Sequence, residues 1–206
     1  MTPLTGGIGG GPDGVAIVAV AETLLGVMAY FATYHYLSIT HIKRANNSDK
    51  WGMYVLSMAG QAMARNSHIV WTNDPFCVSG PVTDALLYEV AQHAIIGSVC
   101  GYTQHGVGAT GGFEPDHHTG LEAGFQGEVG VAATRSGITR EKANDIALTL
   151  LKKYEDSFDN PDRGLPFQKA YDLKTITPIQ EWQDCYRRVK AELTKLGLEF
   201  TDGPWD

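Results

Sequence analysis

The feature that most constrains the fold is an alternation of helical segments with short, β-branched or apolar segments in the first half of the chain. The segments that predict strands are 36–44, 67–72 and part of 97–104. The helices that flank and separate them are predicted at 13–33, 51–64 and 82–96. Parallel strands of one sheet need crossover connections, which are usually helices. The pattern therefore predicts an α/β fold built from parallel βα units.

The second half of the chain is predicted to be mostly helical. Its predicted helices span 119–133, 139–158 and 178–196, and residues 167–176 and 202–206 are expected to be irregular. The length of 206 residues suits a single domain covering residues 1–206. Three parallel strands alone would leave two unpaired sheet edges. We therefore expect the chain to be part of a larger assembly.

Composition and charge exclude several classes of function. A hydrophobic content of 43% favours a packed core, and a net charge of −7 without a basic run argues against nucleic-acid binding. The three cysteines are widely spaced, which predicts neither a zinc site nor a disulfide framework. A reducing, cytoplasmic setting is predicted.

The apolar stretch 15–36 raises the question of a membrane span. It contains Glu22 and His35, whereas a span needs about 20 largely uncharged apolar residues. The first residues also lack the positive charge of a signal peptide. We interpret the stretch as a buried helix and expect no membrane attachment.

Polar residues follow each predicted strand, at the edge where α/β proteins bind ligands. They are His41, Lys43 and Arg44, then Asn73 and Asp74, then Gln104 and His105. Asp74 is the sharpest candidate, because Asn-Asp-Pro fixes a carboxylate at a strand end. The alternative is that Asp74 only forms an Asx turn.

Two glycine-rich segments could bring backbone close to a ligand. One includes Gly106 and precedes the helix at 119–133; the other includes Gly6 and Gly7, with no predicted strand before it. Neither ends in the Gly-Lys-Ser/Thr of a P-loop, although anion binding through backbone amides stays open. The histidines at 105, 117 and 118 lack ligand spacing, so no metal site is predicted.

Several motifs together resemble the C-terminal part of the monomethylamine methyltransferase family. They are TGLEAGFQGEVGVAA at 119–133, KKYEDSF at 152–158, PFQKAYDLKTITP at 166–178 and KLGLEF at 195–200, with SGPVTD at 79–84 upstream. The resemblance covers nearly the whole chain. The segment 166–178 is the most specific part.

The resemblance implies a function and a fold. Members of this methanogen family are homo-oligomeric (β/α)8 TIM barrels, in which pyrrolysine captures methylamine and presents its methyl group to a corrinoid carried by a separate protein. It implies that this chain corresponds to about the last three βα units with a C-terminal helical extension, and binds no cofactor itself. It also implies that pyrrolysine and two active-site glutamates lie outside this chain, and that a family glutamine corresponds to Asp74. Gly6, Gly7 and Gly106 would lie at the barrel mouth without a specific role.

Several accounts remain open at this point. In the first, the chain is the C-terminal part of a methyltransferase and is inactive alone. In the second, it is a stand-alone half-barrel that pairs with itself, with an N-terminal half-barrel chain or with a corrinoid protein. An unrelated α/β enzyme using Asp74 and His105 is a third possibility.

Overall fold

A computed structural model describes residues 2–36 and 38–206. The strands in chain order are β1 (Leu4–Thr5), β2 (Tyr34–Tyr36), β3 (Thr40–His41), β4 (Val70–Asn73), β5 (Thr103–Gln104), β6 (Tyr171–Asp172) and β7 (Thr177–Pro178). The helices are α1 (Pro12–Tyr30), α2 (Lys50–Asn66), α3 (Asp84–Cys100), α4 (Gly120–Arg135), α5 (Arg140–Leu151), α6 (Phe167–Ala170) and α7 (Gln180–Lys195).

The strands of the βα units are all parallel. β1 pairs with β3, while β2 pairs with β4 and β4 with β5. The strands thus form two parallel sheets, one in the order β1–β3 and the other in the order β2–β4–β5. The parallel α/β fold predicted from the sequence is confirmed.

Two predictions about these strands are wrong. The predicted strand 36–44 is two shorter segments, Tyr34–Tyr36 and Thr40–His41, which pair with different neighbours. A strand does precede Gly6 and Gly7, because Leu4–Thr5 pairs in parallel with Thr40–His41. A strand of two residues has no detectable alternation, so periodicity could not reveal it.

α3 is the central helix of the fold. It is predominantly apolar all round, and its residues contribute to both hydrophobic clusters of the core. One cluster joins α3 to α4, α5 and α7; the other joins it to α1, α2 and β4. A helix that is apolar on all faces has to be buried, and this burial positions the loops that follow β4 and β5.

Side-chain caps fix where four of the helices begin, including α5, which Thr139 caps. Asp49 accepts hydrogen bonds from the amides of Trp51 and Gly52, both at 2.8 Å. Thr83 caps α3, and Thr119 with Glu122 forms a capping box on α4. Such caps satisfy amides that have no partner within the helix.

α1 is less buried than predicted. It packs against α2 through one face, on which Val15, Ala19, Thr23 and Gly26 are buried. Its opposite face is exposed and includes Ile17 and Met28. By length and composition alone this 19-residue helix could cross a membrane, with a mean hydropathy of 1.6 and 28% of its most apolar window buried. The helix begins at Pro12 with Gly11 as its N-cap, so the prediction that Asp13 caps this helix is wrong.

The C-terminal segment also departs from the prediction. The helix predicted at 139–158 ends at Leu151 and is followed by a single turn, Glu155–Ser157. β6 lies within the region predicted as irregular and pairs antiparallel with β7, which follows that region directly. The residues predicted to form a tail are held against α7, because Lys190 Nζ of that helix lies 2.7 Å from Asp206 Oδ2.

Candidate functional site

The candidate site lies at the carboxyl ends of the parallel strands, where the loops after β1, β3, β4 and β5 meet. Gly6 has a φ of +82°, which favours glycine, and its backbone packs against Ile42 in the loop after β3. The loop after β4 pairs with the loop after β5, because the Gly108 amide donates to the Pro75 carbonyl at 2.9 Å. Gly106 has a φ of +127° in that second loop.

Asp74 is buried directly after β4, with only 2% of its surface exposed. The hydroxyl of Tyr36, at the end of β2, donates a hydrogen bond to Asp74 Oδ2 at 2.7 Å. Asp74 Oδ1 has no hydrogen-bond partner among the described residues. A side chain at Gly108 would collide with the Asp74 carboxylate, so glycine is required at this close approach. The carboxylate is therefore held between two strands and a glycine loop.

The surroundings of Asp74 change its acidity. Burial raises the pKa of Asp74 to about 6, although the hydrogen bond from Tyr36 and the nearby His105 act in the opposite direction. Burial also raises the pKa of Tyr36 to about 12. The Tyr36 and His105 rings lie 4.7 Å apart between centroids. Near neutral pH this group contains a carboxyl that can hold or release a proton beside a phenol that stays protonated.

Asn47 braces the turn that carries Asp74. Its Nδ2 donates to the Asp74 carbonyl at 2.8 Å, and its Oδ1 accepts from the Phe76 amide at 2.8 Å. Asn47 has no exposed surface. Its side chain therefore replaces the backbone partners that a buried turn lacks.

Asn73 is buried at the end of β4, where it contacts His93 of α3. His93 Nε2 is 3.0 Å from Asn73 Oδ1, which also accepts from Asn47 Nδ2 at 3.3 Å. Burial lowers the pKa of His93 to about 3, so the ring is neutral at neutral pH. A neutral ring can donate to this oxygen only with its proton on Nε2. Asn73 thus links the end of β4 to α3.

Gln104 is not placed with Asp74. Its Nε2 donates to the Ala94 carbonyl of α3 at 3.0 Å, and its Oε1 accepts from Gln126 of α4 at 2.7 Å. The two bonds connect β5 to α3 and α4. The structure gives this side chain a role in packing, whereas the His105 ring lies beside Tyr36.

His41 and Lys43 lie on a tight turn after β3. The Lys43 amide donates to His41 Nδ1 at 3.2 Å, and the turn closes where the His41 amide donates to the Asn46 carbonyl at 2.7 Å. These residues line a cavity whose lining does not include Asp74.

Glu89 is a buried acid that was not predicted from the sequence. Glu89 of α3 has no exposed surface, and its carboxylate accepts hydrogen bonds from the amides of Val78 and Ser79 at 3.0 and 2.9 Å and from the Ser48 hydroxyl. Burial raises the pKa of Glu89. The available signal was an acid within an otherwise apolar helix, since such a group has to be hydrogen-bonded when buried.

The histidines at 117 and 118 each contact a neighbouring acceptor or acid on the same segment of chain. His117 Nδ1 lies 2.8 Å from the Pro115 carbonyl, and His118 lies 3.9 Å from the Glu122 carboxylate. Within residues 2–36 and 38–206 there is no group of three histidine, cysteine or acidic side chains arranged to hold a metal ion.

These features define a class of protein. Parallel strands with helices packed beside them and polar residues at the strands' carboxyl ends characterise part of a (β/α)8 barrel. Within this class, the family is identified by the match to the family model for monomethylamine methyltransferase MtmB, over residues 1–198. The chain belongs to this family, and the resemblance seen in the sequence motifs is confirmed.

Known members of the family agree with this assignment. Monomethylamine methyltransferase MtmB1 of Methanosarcina barkeri is 29% identical over 199 residues, which are 96% of this chain and 43% of the relative. The crystal structure of the M. barkeri enzyme superposes with a TM-score of 0.91 at 29% identity, covering 97% of this chain and 43% of that one. The structure of a hydroxylamine complex of MtmB matches equally well. The chain thus spans less than half the length of these relatives, and its similarity to a TIM-barrel enzyme favours a soluble protein.

Proposed function

We propose that this chain forms the C-terminal part of a methyltransferase mouth that transfers the methyl group of monomethylamine to a corrinoid carried by a separate protein. The observation that carries the proposal is the match to the family model over residues 1–198. Asp74, which follows β4 directly, is the residue proposed to act in it. The corrinoid protein and a cytoplasmic location are part of this proposal. The chain itself is proposed to bind no cofactor directly.

Asp74 is the proposed polar group for handling the amine. Amines are poor leaving groups, so a reaction that breaks their C–N bond benefits from protonation and positioning. A carboxyl with a pKa of about 6 is suited to exchange a proton near neutral pH. The glutamine that the resemblance places at this position in relatives can orient an amine but cannot protonate it. We therefore propose that Asp74 adds a proton-transfer role.

The chain alone is proposed to be inactive. The family's pyrrolysine and its two active-site glutamates would belong to the part of the relatives that this chain does not match. A barrel also needs further parallel strands beside β1 and β5. We propose that a polypeptide with the remaining βα units completes the barrel, and that the completed enzyme is a homo-oligomer.

A chimera tests the proposal. Residues 1–198 of this chain would replace the corresponding part of M. barkeri MtmB1, with the remainder of that enzyme unchanged. The expected result is methylamine-dependent methylation of the corrinoid protein by the chimera. A soluble, folded chimera without turnover, beside an active parent enzyme, would contradict the proposed function. The variant Asp74→Gln in the chimera then isolates the contribution of the carboxyl.

A stand-alone interaction module is the second candidate. The exposed apolar residues of α1, among them Ile17 and Met28, and the free edges of β1 and β5 favour it. Such a module would pair with itself or with a corrinoid protein. Stable binding of a corrinoid protein by this chain, with no activity in the chimera, would favour this function over the first.

A further inference from the structure

One cavity is lined by residues that follow the strands β3, β4 and β5, and Asp74 is not part of its lining. Its volume is about 540 Å³. The loops after three successive strands contribute to it, through Lys43 and Arg44 after β3, Val78 after β4 and Gly112 after β5, and Arg163 closes it from the segment after α5. Ligand sites in barrels occur where such loops converge, and small-molecule cavities are of this size.

The charge of this cavity is opposite to that of the chain. Its lining holds three cations, Lys43, Arg44 and Arg163, and one acid, Asp159. The difference is +2, with His41 adding a further group that can become cationic, whereas the chain as a whole has a net charge of −7. A concave site lined by one sign of charge concentrates ligands of the opposite sign.

Two of the three cations, Arg44 and Arg163, are held in place before any ligand arrives. Arg163 Nη1 donates to the Gly111 carbonyl at 2.9 Å. Arg44 lies over the Phe158 ring, 5.5 Å from its centroid, and forms an ion pair of 2.7 Å with Asp159. Preorganised guanidinium groups bind oxyanions well because less side-chain entropy is lost.

Asp159 is mostly exposed, with 88% of its side chain accessible, whereas the Arg44 side chain is 34% accessible. An exposed partner of this kind contributes little to stability, so a competing anion can replace it. Lys43 has no ion pair among the described residues. The cavity therefore offers two cationic groups, Lys43 and Arg44, that an incoming oxyanion can contact.

We propose that this cavity binds the oxyanion group of a small molecule, either a phosphate or a carboxylate. The proposal does not depend on methyl transfer, because the cavity is separate from Asp74 and its ligand need not react. Lys43 and Arg44 bind the anion directly, Arg163 maintains the cavity wall, and Asp159 is the group that the anion displaces.

Titration of the full chain at constant ionic strength tests this site. Inorganic phosphate and succinate would be added separately, with sodium chloride adjusted to keep the ionic strength fixed, and backbone amide shifts would be followed by NMR. We expect saturable shifts confined to residues 41–46, 77–79, 111–113 and 158–164. Saturation by phosphate only or by succinate only identifies which oxyanion the site prefers. Shifts that do not saturate, or that spread over the surface, would overturn the proposal.

Variants sharpen the test. Lys43→Ala combined with Arg44→Ala should weaken binding by about tenfold or more, since charge-assisted hydrogen bonds are lost. Asp159→Asn should strengthen binding by several-fold, because it removes the internal competitor. Lys142→Ala, at an exposed cation in the first turn of α5 and outside the cavity lining, is the matched control and should bind as the parent chain does. Equal binding by the parent chain and the Lys43/Arg44 double variant, with unchanged spectra elsewhere, would refute the site.

Discussion

The Tyr36 hydroxyl donates a hydrogen bond of 2.7 Å to Asp74 Oδ2, linking the ends of two neighbouring parallel strands across 38 positions of sequence. Tyr36 is partly exposed, whereas Asp74 is buried. The phenol therefore connects a buried carboxyl to the mouth. Its effect on Asp74 is opposite to that of burial, because it stabilises the charged form.

Removing this hydrogen bond should make Asp74 less acidic. In Tyr36→Phe the carboxylate loses its donor, so the pKa of Asp74 should rise above its value of about 6. The carboxyl ¹³C shift of Asp74, followed through a pH titration by NMR, measures this directly. Tyr34→Phe at the other end of β2, an exposed position, is the control. A pKa that falls or stays the same in Tyr36→Phe would contradict this reading.

The raised pKa of Asp74 makes stability depend on pH. The folded-state pKa of about 6 lies above the reference value of 3.8, so the protonated carboxyl contributes stability fully below about pH 3.8. That contribution is lost as the pH rises through about 6. A shift of this size corresponds to roughly 3 kcal/mol at most.

Asp74→Asn should therefore raise the free energy of unfolding at pH 8 by about 1–3 kcal/mol, with a smaller gain at pH 5. Urea unfolding at the two pH values measures the difference. A gain that is larger at pH 5 than at pH 8 would have the wrong sign for a carboxyl with a raised pKa.

Removing the Asn47 side chain should lower the free energy of unfolding. Asn47→Ala leaves the buried Phe76 amide and Asp74 carbonyl without their side-chain partners, so we expect a loss of about 2–4 kcal/mol in the free energy of unfolding. Asn66→Ala serves as the control, since Asn66 is exposed at the end of α2 and bonds only to the Ala62 carbonyl. Chemical denaturation of both variants gives the comparison. Similar losses in the two would show that Asn47 does not brace the turn.

Lys190 should hold the C-terminal residues to α7. Its Nζ contacts both carboxylate oxygens of Asp206 and the Thr201 carbonyl, and it is nearly buried. In Lys190→Met we expect faster amide hydrogen exchange at residues 199–206 and a loss of about 1–3 kcal/mol in stability. Lys195→Met, at the end of the same helix, should change neither quantity appreciably. Unaltered exchange in Lys190→Met would mean that the segment is held by other contacts.

The sequence predicted the longer elements well because their signals are local. The predicted helix 119–133 is Gly120–Arg135 with Thr119 as its cap, and the predicted strand 67–72 is Val70–Asn73. The strand Leu4–Thr5 was missed, and 36–44 was taken as one strand, because segments of two or three residues carry no periodicity.

Only part of the candidate site could be predicted from the sequence. The positions of Asp74 and His105 at the ends of predicted strands were enough to predict that they lie at the same edge of the sheet. The partnership of Asp74 with Tyr36, and the bracing by Asn47 and Glu89, depend on contacts between segments far apart in sequence. Gln104 follows the same strand-end rule, yet its side chain bonds to α3 and α4 instead. The direction of a side chain depends on packing that no local pattern encodes.

The central claim is that this chain supplies one part of a methylamine methyltransferase mouth. The most direct measurement is methylamine-dependent methylation of cob(I)alamin by the chain alone, by the complementary part of M. barkeri MtmB1 alone, and by the two mixed. The account predicts no turnover above the no-protein control from either part, and turnover from the mixture. Turnover by this chain alone would contradict the claim, as would a stable complex of the two parts that remains inactive.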